Sequence, residues 1–184
     1  MQVTFTWNCF LLLSVTGSAH CACRWLQMYE RYNAECFRLL KDMGGDFKSD
    51  VPRIPNSYIS GLYLPVNNAT ADEKITFLHE ATKQIVKLLN NSDVTDTWDK
   101  TKLDNLLNVL NQQSTNLGHC AEQVPTRMYK YRKSLKKLKK HFHILKNFLD
   151  KLKYSKQSWE QVRKEVEHHL HRLLFLVHTM SREY

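Results

Sequence analysis

Apolar residues recur along most of the chain at alternating spacings of three and four, the pattern that predicts amphipathic α-helices. In the last two segments the repeat is unbroken, so each of them should present one continuous apolar stripe to a common core. The pattern predicts five helices, over about 24–43, 71–89, 98–120, 125–153 and 155–180. The sequence therefore predicts an all-α fold in which five helices form a bundle.

Residues with well-defined roles at helix ends mark several of these boundaries. The pair Gly44-Gly45 follows the first helix, where glycine commonly terminates a helix. Thr97 and Ser155 are predicted to cap the third and fifth helices, because their hydroxyl groups can accept hydrogen bonds from the first turn. Pro125 is suited to the first turn of the fourth helix.

The segment 46–70 contains three of the four prolines and is predicted to be a long ordered crossover loop. A loop of that length is unusual in a compact domain. Helical bundles with long crossover connections provide a reason for it, because two parallel helices must be joined over the length of the bundle. A chain with only 5 Gly and 4 Pro also has too few turn residues for many short strands.

The first 22 residues differ from the rest and are predicted to be a secretory signal peptide. A short apolar run is followed by small residues, although no Lys or Arg precedes it. Cleavage after Ala22 is favoured over cleavage after Ala19 or Cys21, and the alternative is a buried N-terminal segment. Residues 23–184 then form one secreted, extracellular helical domain.

Removal of the leader leaves three cysteines, so one of them stays unpaired. Cys36 belongs to the apolar stripe of the first helix, where a thiol behaves as a small hydrophobic group. The sequence therefore predicts a disulfide between Cys23 and Cys120.

Two N-glycosylation sequons support an extracellular protein. They begin at Asn68 and Asn90, and both lie in polar stretches between predicted helices. A sequon is a weak signal alone, and it gains weight beside a leader and a predicted disulfide.

The positive charge is concentrated in one helix. The formal net charge is +9, and the segment 125–153 holds eleven Lys or Arg and one acid, Asp150, so the rest of the chain sums to about −1. The basic helix over 127–153 is interpreted as a solvated face or as a surface that contacts polyanions or a receptor. A cationic membrane-active protein is a further alternative. We expect no nucleic-acid binding and no membrane insertion, because the neighbouring helices should hold this helix in the fold.

No pattern of catalytic residues is present in the sequence. A glycine-rich phosphate loop, a CxxC pair and an HExxH motif are all absent. His168 and His171 share a helix face, but no third ligand has a matching spacing, so we expect surface histidines and no metal or cofactor. The sequence predicts a binding protein and not an enzyme.

A C-terminal motif resembles the signature of the type I interferon family. Phe148-Leu149 is followed by seven residues and then by Gln157-Ser158-Trp159, and residues 159–166 follow the family pattern Trp-Glu-x-Val-Arg-x-Glu-aliphatic. The opening Cys23-Arg24-Trp25-Leu26 is similar to fish members, and the resemblance covers nearly the whole mature chain. Gln157 stands where many members have Cys, so this chain resembles the two-cysteine fish members that keep a single bridge.

The resemblance implies a helical bundle of the class II cytokine type and a secreted antiviral cytokine. It also implies a monomer that bridges the two chains of a class II cytokine receptor and so triggers kinase-mediated transcriptional signalling. In the family, the first helix, the following loop and the last helix engage one receptor chain. Carried over to this sequence, the exposed receptor-binding residues are Arg163, Lys164, Glu167, His168, His171 and Arg172 in the last helix and Arg53 in the loop.

Two alternatives remain open at this point. Arg163 could instead form an ion pair within its own helix, with Glu160 or Glu167. The chain could also be a different helical cytokine that uses another receptor pair.

Overall fold

The computed structural model describes residues 23–45, 54, 59–91, 97–122 and 132–180. The predicted leader and Arg53 lie outside these residues. Within the described part, the secondary structure consists of six helices without a strand, which confirms the all-α prediction. The helices are α1 (Leu26–Met43), α2 (Ile59–Asn67), α3 (Ala71–Leu89), α4 (Lys100–Glu122), α5 (Arg132–Lys151) and α6 (Lys156–Met180).

One of the two predicted N-terminal caps is confirmed and the other is wrong. Ser155 caps α6, since its Oγ accepts a hydrogen bond from the backbone N–H of Ser158 at 3.3 Å. The prediction that Thr97 caps α4 is wrong: the N–H of Lys102 donates to Oδ1 of Asp99 at 2.9 Å. A carboxylate three residues before that N–H satisfies it and also favours the positive end of the helix dipole.

The helix α2 lies inside the segment that was predicted to be a loop, and it is a correction to the five-helix prediction. The three prolines of this segment suggested a loop, but Pro65 removes only one backbone hydrogen bond from a two-turn helix. Burial of one apolar face outweighs that loss. The residues of this face have the helical spacing of three, one and three: Ile59, Leu62, Tyr63 and Val66.

A capping box starts α3 directly after α2. The backbone N–H of Glu73 donates to Oγ1 of Thr70, and the carboxylate of Glu73 accepts from the N–H of Thr70. Two donors that the first turn would leave unpaired are satisfied in this way. The chain therefore turns from α2 into α3 at a defined residue, and Asn68 lies exposed in the short connection.

Contacts at both ends show that α1 runs antiparallel to α4 and to α6. Against α4, the disulfide joins Cys23 at the start of α1 to Cys120, and the Nζ of Lys102 donates to the carbonyl of Asp42 at the other end. Against α6, the N–H of Gly45 donates to Glu160, while Glu30 lies 3.7 Å from Nε2 of His178. The predicted disulfide is confirmed, and Cys36 is a free, buried thiol.

Helix α6 is the centre of the bundle, and it contacts α1, α2, α3 and α5. A helix surrounded by neighbours must bury most of its circumference. Trp159 is fully buried, and its ring meets that of Trp98 edge-on with centroids 5.4 Å apart. The same central position also buries four polar side chains of α6, namely Ser158, Glu160, Glu165 and His169.

Removal of the disulfide should lower the free energy of unfolding. The bridge closes a loop with a sequence separation of 97, for which the chain-entropy model gives about 4 kcal/mol. We expect the double variant Cys23→Ser/Cys120→Ser to lose about 2–4 kcal/mol in urea unfolding followed by circular dichroism. Cys36→Ala, which keeps the bridge, should lose about 1 kcal/mol. Equal losses in the two proteins would contradict a stabilising role for the bridge.

Candidate functional site

Glu160 connects three parts of the bundle at the end where α6 begins. Its Oε1 accepts a hydrogen bond from Nε1 of Trp98 at 2.7 Å and one from the N–H of Gly45 at 3.4 Å. Its Oε2 accepts from Nε of Arg163 at 2.9 Å. A second nitrogen of the same guanidinium donates to the carbonyl of Leu40 at 2.9 Å. The end of α1, the start of α6 and the segment before α4 therefore share one hydrogen-bonded network.

The expectation that Arg163 is an exposed residue is wrong. Its side chain is only 11% exposed, because the guanidinium lies between α1 and α6 and pairs with Glu160. Gly44 makes this possible: a Cβ atom at that position would collide with the Arg163 guanidinium. The glycine is needed for the close approach of the side chain, since its backbone φ of −87° is open to any residue.

A groove of about 300 Å³ lies directly over Arg163, between α1 and α6. One wall is Phe37, whose ring stacks obliquely on that of His171 with centroids 4.2 Å apart. Its lining combines one aromatic residue with charged or titratable side chains, which are Arg38, Lys41, Arg163, Glu167 and His171. Such a mixture of a small apolar surface and polar edges suits contact with another protein.

The other predicted residues of α6 differ in how much surface they offer. His168 and His171 are exposed, whereas Lys164, Glu167 and Arg172 are partly buried. The guanidinium of Arg172 lies over the rings of Tyr63 and Phe175, 5.7 and 5.8 Å from their centroids. Glu167 and His171 line the groove, while Arg172 extends the same side of α6 towards α2.

A second polar group lies in the core on the opposite side of α6. Nε2 of His141 from α5 lies 3.5 Å from Oε1 of Glu165, and Nδ1 of His169 lies 2.8 Å from the hydroxyl of Tyr63. Burial lowers the pKa of His141 to about 4 and that of His169 well below its usual range, and it raises the pKa of Glu165 to about 7. Removal from water thus favours the neutral form of each group.

Sequence reasoning missed this cluster because its members come from two helices. His168 and His171 attracted attention through their spacing, yet both face solvent. The signal that could have found the cluster is the polar pair Glu165 and His169 on the apolar side of α6, one helical turn apart.

The predicted glycosylation sites lie at exposed positions outside the helices. Asn68 lies in the turn between α2 and α3, and Asn90 follows the last residue of α3. Both positions are compatible with a bulky, hydrated substituent, and glycosylation at each of them stays a prediction.

The basic residues of α5 form an exposed surface. From Arg132 to Lys140 every Lys and Arg is exposed, while Leu138 and Phe142 face the core. Lys139 reaches Glu80 of α3 at 3.4 Å. The charge therefore covers the outside of a helix that is packed in the bundle, and none of the described helices is long and apolar enough to cross a membrane.

An all-helical bundle with a disulfide at one end, a long connection after the first helix and a polar groove over its central helix defines the class of helical cytokines. Comparison with known proteins gives the family. Residues 26–180 match the family model described as Interferon alpha/beta domain. The chain is 35% identical over 184 residues to rainbow trout (Oncorhynchus mykiss) "Interferon a3", covering 98% of this chain and 99% of that protein.

Two further comparisons agree with that match. Bovine (Bos taurus) "Interferon alpha-A" is 36% identical over 98 residues, which are 51% of each chain. The solved structure "Zebrafish interferon 1" superposes with a TM-score of 0.75 and 28% identity, over 86% of this chain and 99% of that one. The chain belongs to the interferon alpha/beta family: it is an antiviral type I interferon cytokine, not an enzyme, and it acts through cell-surface receptors.

Replacement of Arg163 by Ala should destabilise the protein, because it leaves the buried Glu160 carboxylate without its cation. We expect the free energy of unfolding to fall by about 3 kcal/mol, measured by urea unfolding. His168→Ala, an exposed neighbour on the same helix, should change it by less than about 0.5 kcal/mol. An Arg163→Ala protein as stable as the His168→Ala control would show that the pair contributes nothing to folding.

Proposed function

We propose that the mature chain, residues 23–184 after removal of the leader, is secreted and bridges the two different chains of a class II cytokine receptor. Receptor-associated kinases then transmit the signal to antiviral genes. The family assignment supports a receptor ligand, and the groove between α1 and α6 supports a specific contact surface. In this proposal the protein acts as a monomer that presents different faces to the two receptor chains.

The surface proposed to bind one receptor chain is the groove together with the exposed residues beside it. Phe37 and His171 supply an aromatic centre, and Lys41 and Glu167 supply charges of both signs at its edge. Contacts of this kind, with an apolar centre and a polar rim, give affinity at the centre and selectivity at the rim. Further members of the surface are Lys164, His168, Arg172 and, in the preceding loop, Arg53.

Arg163 has a different role in this proposal from that of an exposed contact. Its guanidinium forms the floor of the groove and holds the end of α1 against α6. A receptor side chain in the groove would meet an arginine whose hydrogen bonds are already fixed, so little conformational entropy is lost on binding. The residue thus positions the surface and contributes its remaining exposed edge.

A second proposed contact uses the basic segment of residues 127–153, of which α5 is the described helical part. The exposed lysines of α5 border a groove of about 700 Å³ between α3 and α5, to which Lys87, Lys139 and Lys146 contribute. A sulfated polysaccharide could follow such a row of cations, and binding would fall steeply with salt. The contact would concentrate the cytokine at cell surfaces without membrane insertion.

Variants in the groove should weaken receptor binding without loss of stability. We expect Glu167→Ala/His171→Ala to bind the receptor-bearing cells about 10–100-fold more weakly, since it removes one residue of the aromatic centre and one charge of the rim. The matched control Asn111→Ala/Gln112→Ala changes two exposed residues of α4, outside both proposed contact surfaces. Binding is measured with labelled protein, and antiviral gene induction is measured on parental cells and on cells that lack either receptor chain.

Induction that requires both receptor chains and falls with the groove variant supports the proposal. Induction that persists in the absence of either chain would contradict the bridging mechanism. Equal binding by the groove variant and by the control would contradict the proposed surface.

Heparin should retain the folded protein through α5. We expect Lys136→Glu/Lys137→Glu to elute from heparin at clearly lower salt than the parent. Each lost contact between a lysine and a sulfate group weakens binding and reduces its dependence on salt concentration. The control variant Lys41→Glu/Lys164→Glu carries the same charge change at residues of α1 and α6, outside α5. Equal elution of the two variants would show that only net charge matters. Leakage of anionic vesicles at nanomolar protein would instead favour a membrane-active protein.

A further inference from the structure

Three side chains with metal-binding atoms meet in the core between α5 and α6. They are His141 from α5 and Glu165 and His169 from α6, and one ligand atom of each lies within 4.8 Å of the other two. All three are buried, with exposed fractions of 7%, 8% and 0%. Glu165 and His169 are four residues apart in a helix, so their side chains leave the same face one turn apart.

Both imidazoles bury a nitrogen that has no hydrogen bond. Both Nε2 atoms are inaccessible to water and make no hydrogen bond, although Nε2 of His141 lies 3.5 Å from Oε1 of Glu165. A buried polar atom left in this state costs about 1–3 kcal/mol, so its presence at two neighbouring positions calls for an explanation. A single ion between the two nitrogens would satisfy both at once.

The other nitrogen of His169 is held as in known metal sites. Its Nδ1 lies 2.8 Å from the hydroxyl oxygen of Tyr63, which is itself fully buried. If Nδ1 carries the proton and donates it to that oxygen, Nε2 carries the lone pair that can bind an ion. A hydrogen bond to the distal nitrogen is the usual way in which a ligating histidine is oriented and its basicity raised.

We propose that His141, Glu165 and His169 bind one Zn²⁺ ion, or another divalent ion of the same class, and so join α5 to α6. Two imidazole nitrogens and one carboxylate are a common zinc ligand set, whereas Ca²⁺ and Mg²⁺ prefer oxygen ligands alone. Zinc bonds of about 2.0–2.1 Å place tetrahedral ligand atoms about 3.3 Å apart. His141 and Glu165 already have that spacing, at 3.5 Å.

Completing the site needs only side-chain movement. The ligand atoms, at most 4.8 Å apart, must close by about 1.5 Å to reach tetrahedral spacing, which rotation of the imidazoles can provide. His141 and Glu165 keep 7% and 8% of their surface exposed, so the cluster lies near the edge of the core. The two conspicuous exposed histidines of α6, His168 and His171, do not take part.

The test uses the untagged, disulfide-bonded mature chain, titrated with ZnCl₂ against a chromogenic chelator. We expect one Zn²⁺ per chain, and a loss of at least about 100-fold in affinity in Glu165→Gln and in His141→Gln, each of which removes one ligand. The matched control His168→Gln removes an exposed histidine next to the site and should bind as the parent does. Tyr63→Phe, which removes only the supporting hydroxyl, should weaken binding by about 10-fold.

Two measurements on the unaltered protein keep the proposal testable if a variant fails to fold. Zn²⁺ should raise the melting temperature, with reversal by EDTA, and Co²⁺ should give the intense visible absorption of a tetrahedral site. The proposal is overturned if the parent shows neither response, if Glu165→Gln binds Zn²⁺ as tightly as the parent, or if His168→Gln abolishes binding. None of these measurements involves the receptor, so they stand apart from antiviral signalling.

Discussion

The burial of the Glu160 carboxylate under α1 is the constraint on which the functional end of the molecule depends. Removing a carboxylate from water costs several kcal/mol unless cations and hydrogen-bond donors replace the solvent. Arg163, Trp98 and the backbone of Gly45 provide them, and each comes from a different part of the chain. The end of α1, the start of α6 and the segment before α4 therefore cannot move apart without exposing that charge or leaving it without its hydrogen-bond donors.

This constraint determines the properties of the groove above it. Because Arg163 also donates to the carbonyl of Leu40, its guanidinium joins α1 to α6 at this point. The ring of Phe37 from α1 packs against that of His171 from α6 beside it. A surface whose walls are fixed before a partner arrives loses less entropy on binding, so binding affinity depends on the scaffold as well as on the residues that touch the partner.

The sequence predicted the elements whose signals are local. The ends of α3 and α6 followed from apolar periodicity and from the residues beside it, and Ser155 does cap α6 as its position suggested. Helix α2 was missed because the three prolines of segment 46–70 were given more weight than the spacing of Ile59, Leu62, Tyr63 and Val66. Turn residues disfavour a long helix strongly, yet they cost little in two turns that bury a continuous face.

The features that could not be predicted depend on contacts between helices. The motif around Trp159 pointed to Arg163, and an ion pair of Arg163 with Glu160 was one of the alternatives. The burial of Arg163 could not be predicted from this motif, because it depends on Gly44, which the motif does not contain. His141 lies on a different helix from Glu165, and no periodicity within α5 reveals which residue of α6 it will face. Residue types and helix faces were readable from the sequence, whereas partners across an interface were not.

Helix α6 buries two carboxylates, and the fold treats them in opposite ways. Glu160 is surrounded by donors that stabilise its negative charge. Glu165 faces His141, an imidazole that burial keeps neutral, and burial raises the pKa of Glu165 itself to about 7. The first carboxylate therefore joins three segments of the chain through the donors around it. The second lies with His141 and His169 in the cluster proposed above to bind a metal ion, so the same helix uses one carboxylate to hold the bundle together and the other as a candidate ligand.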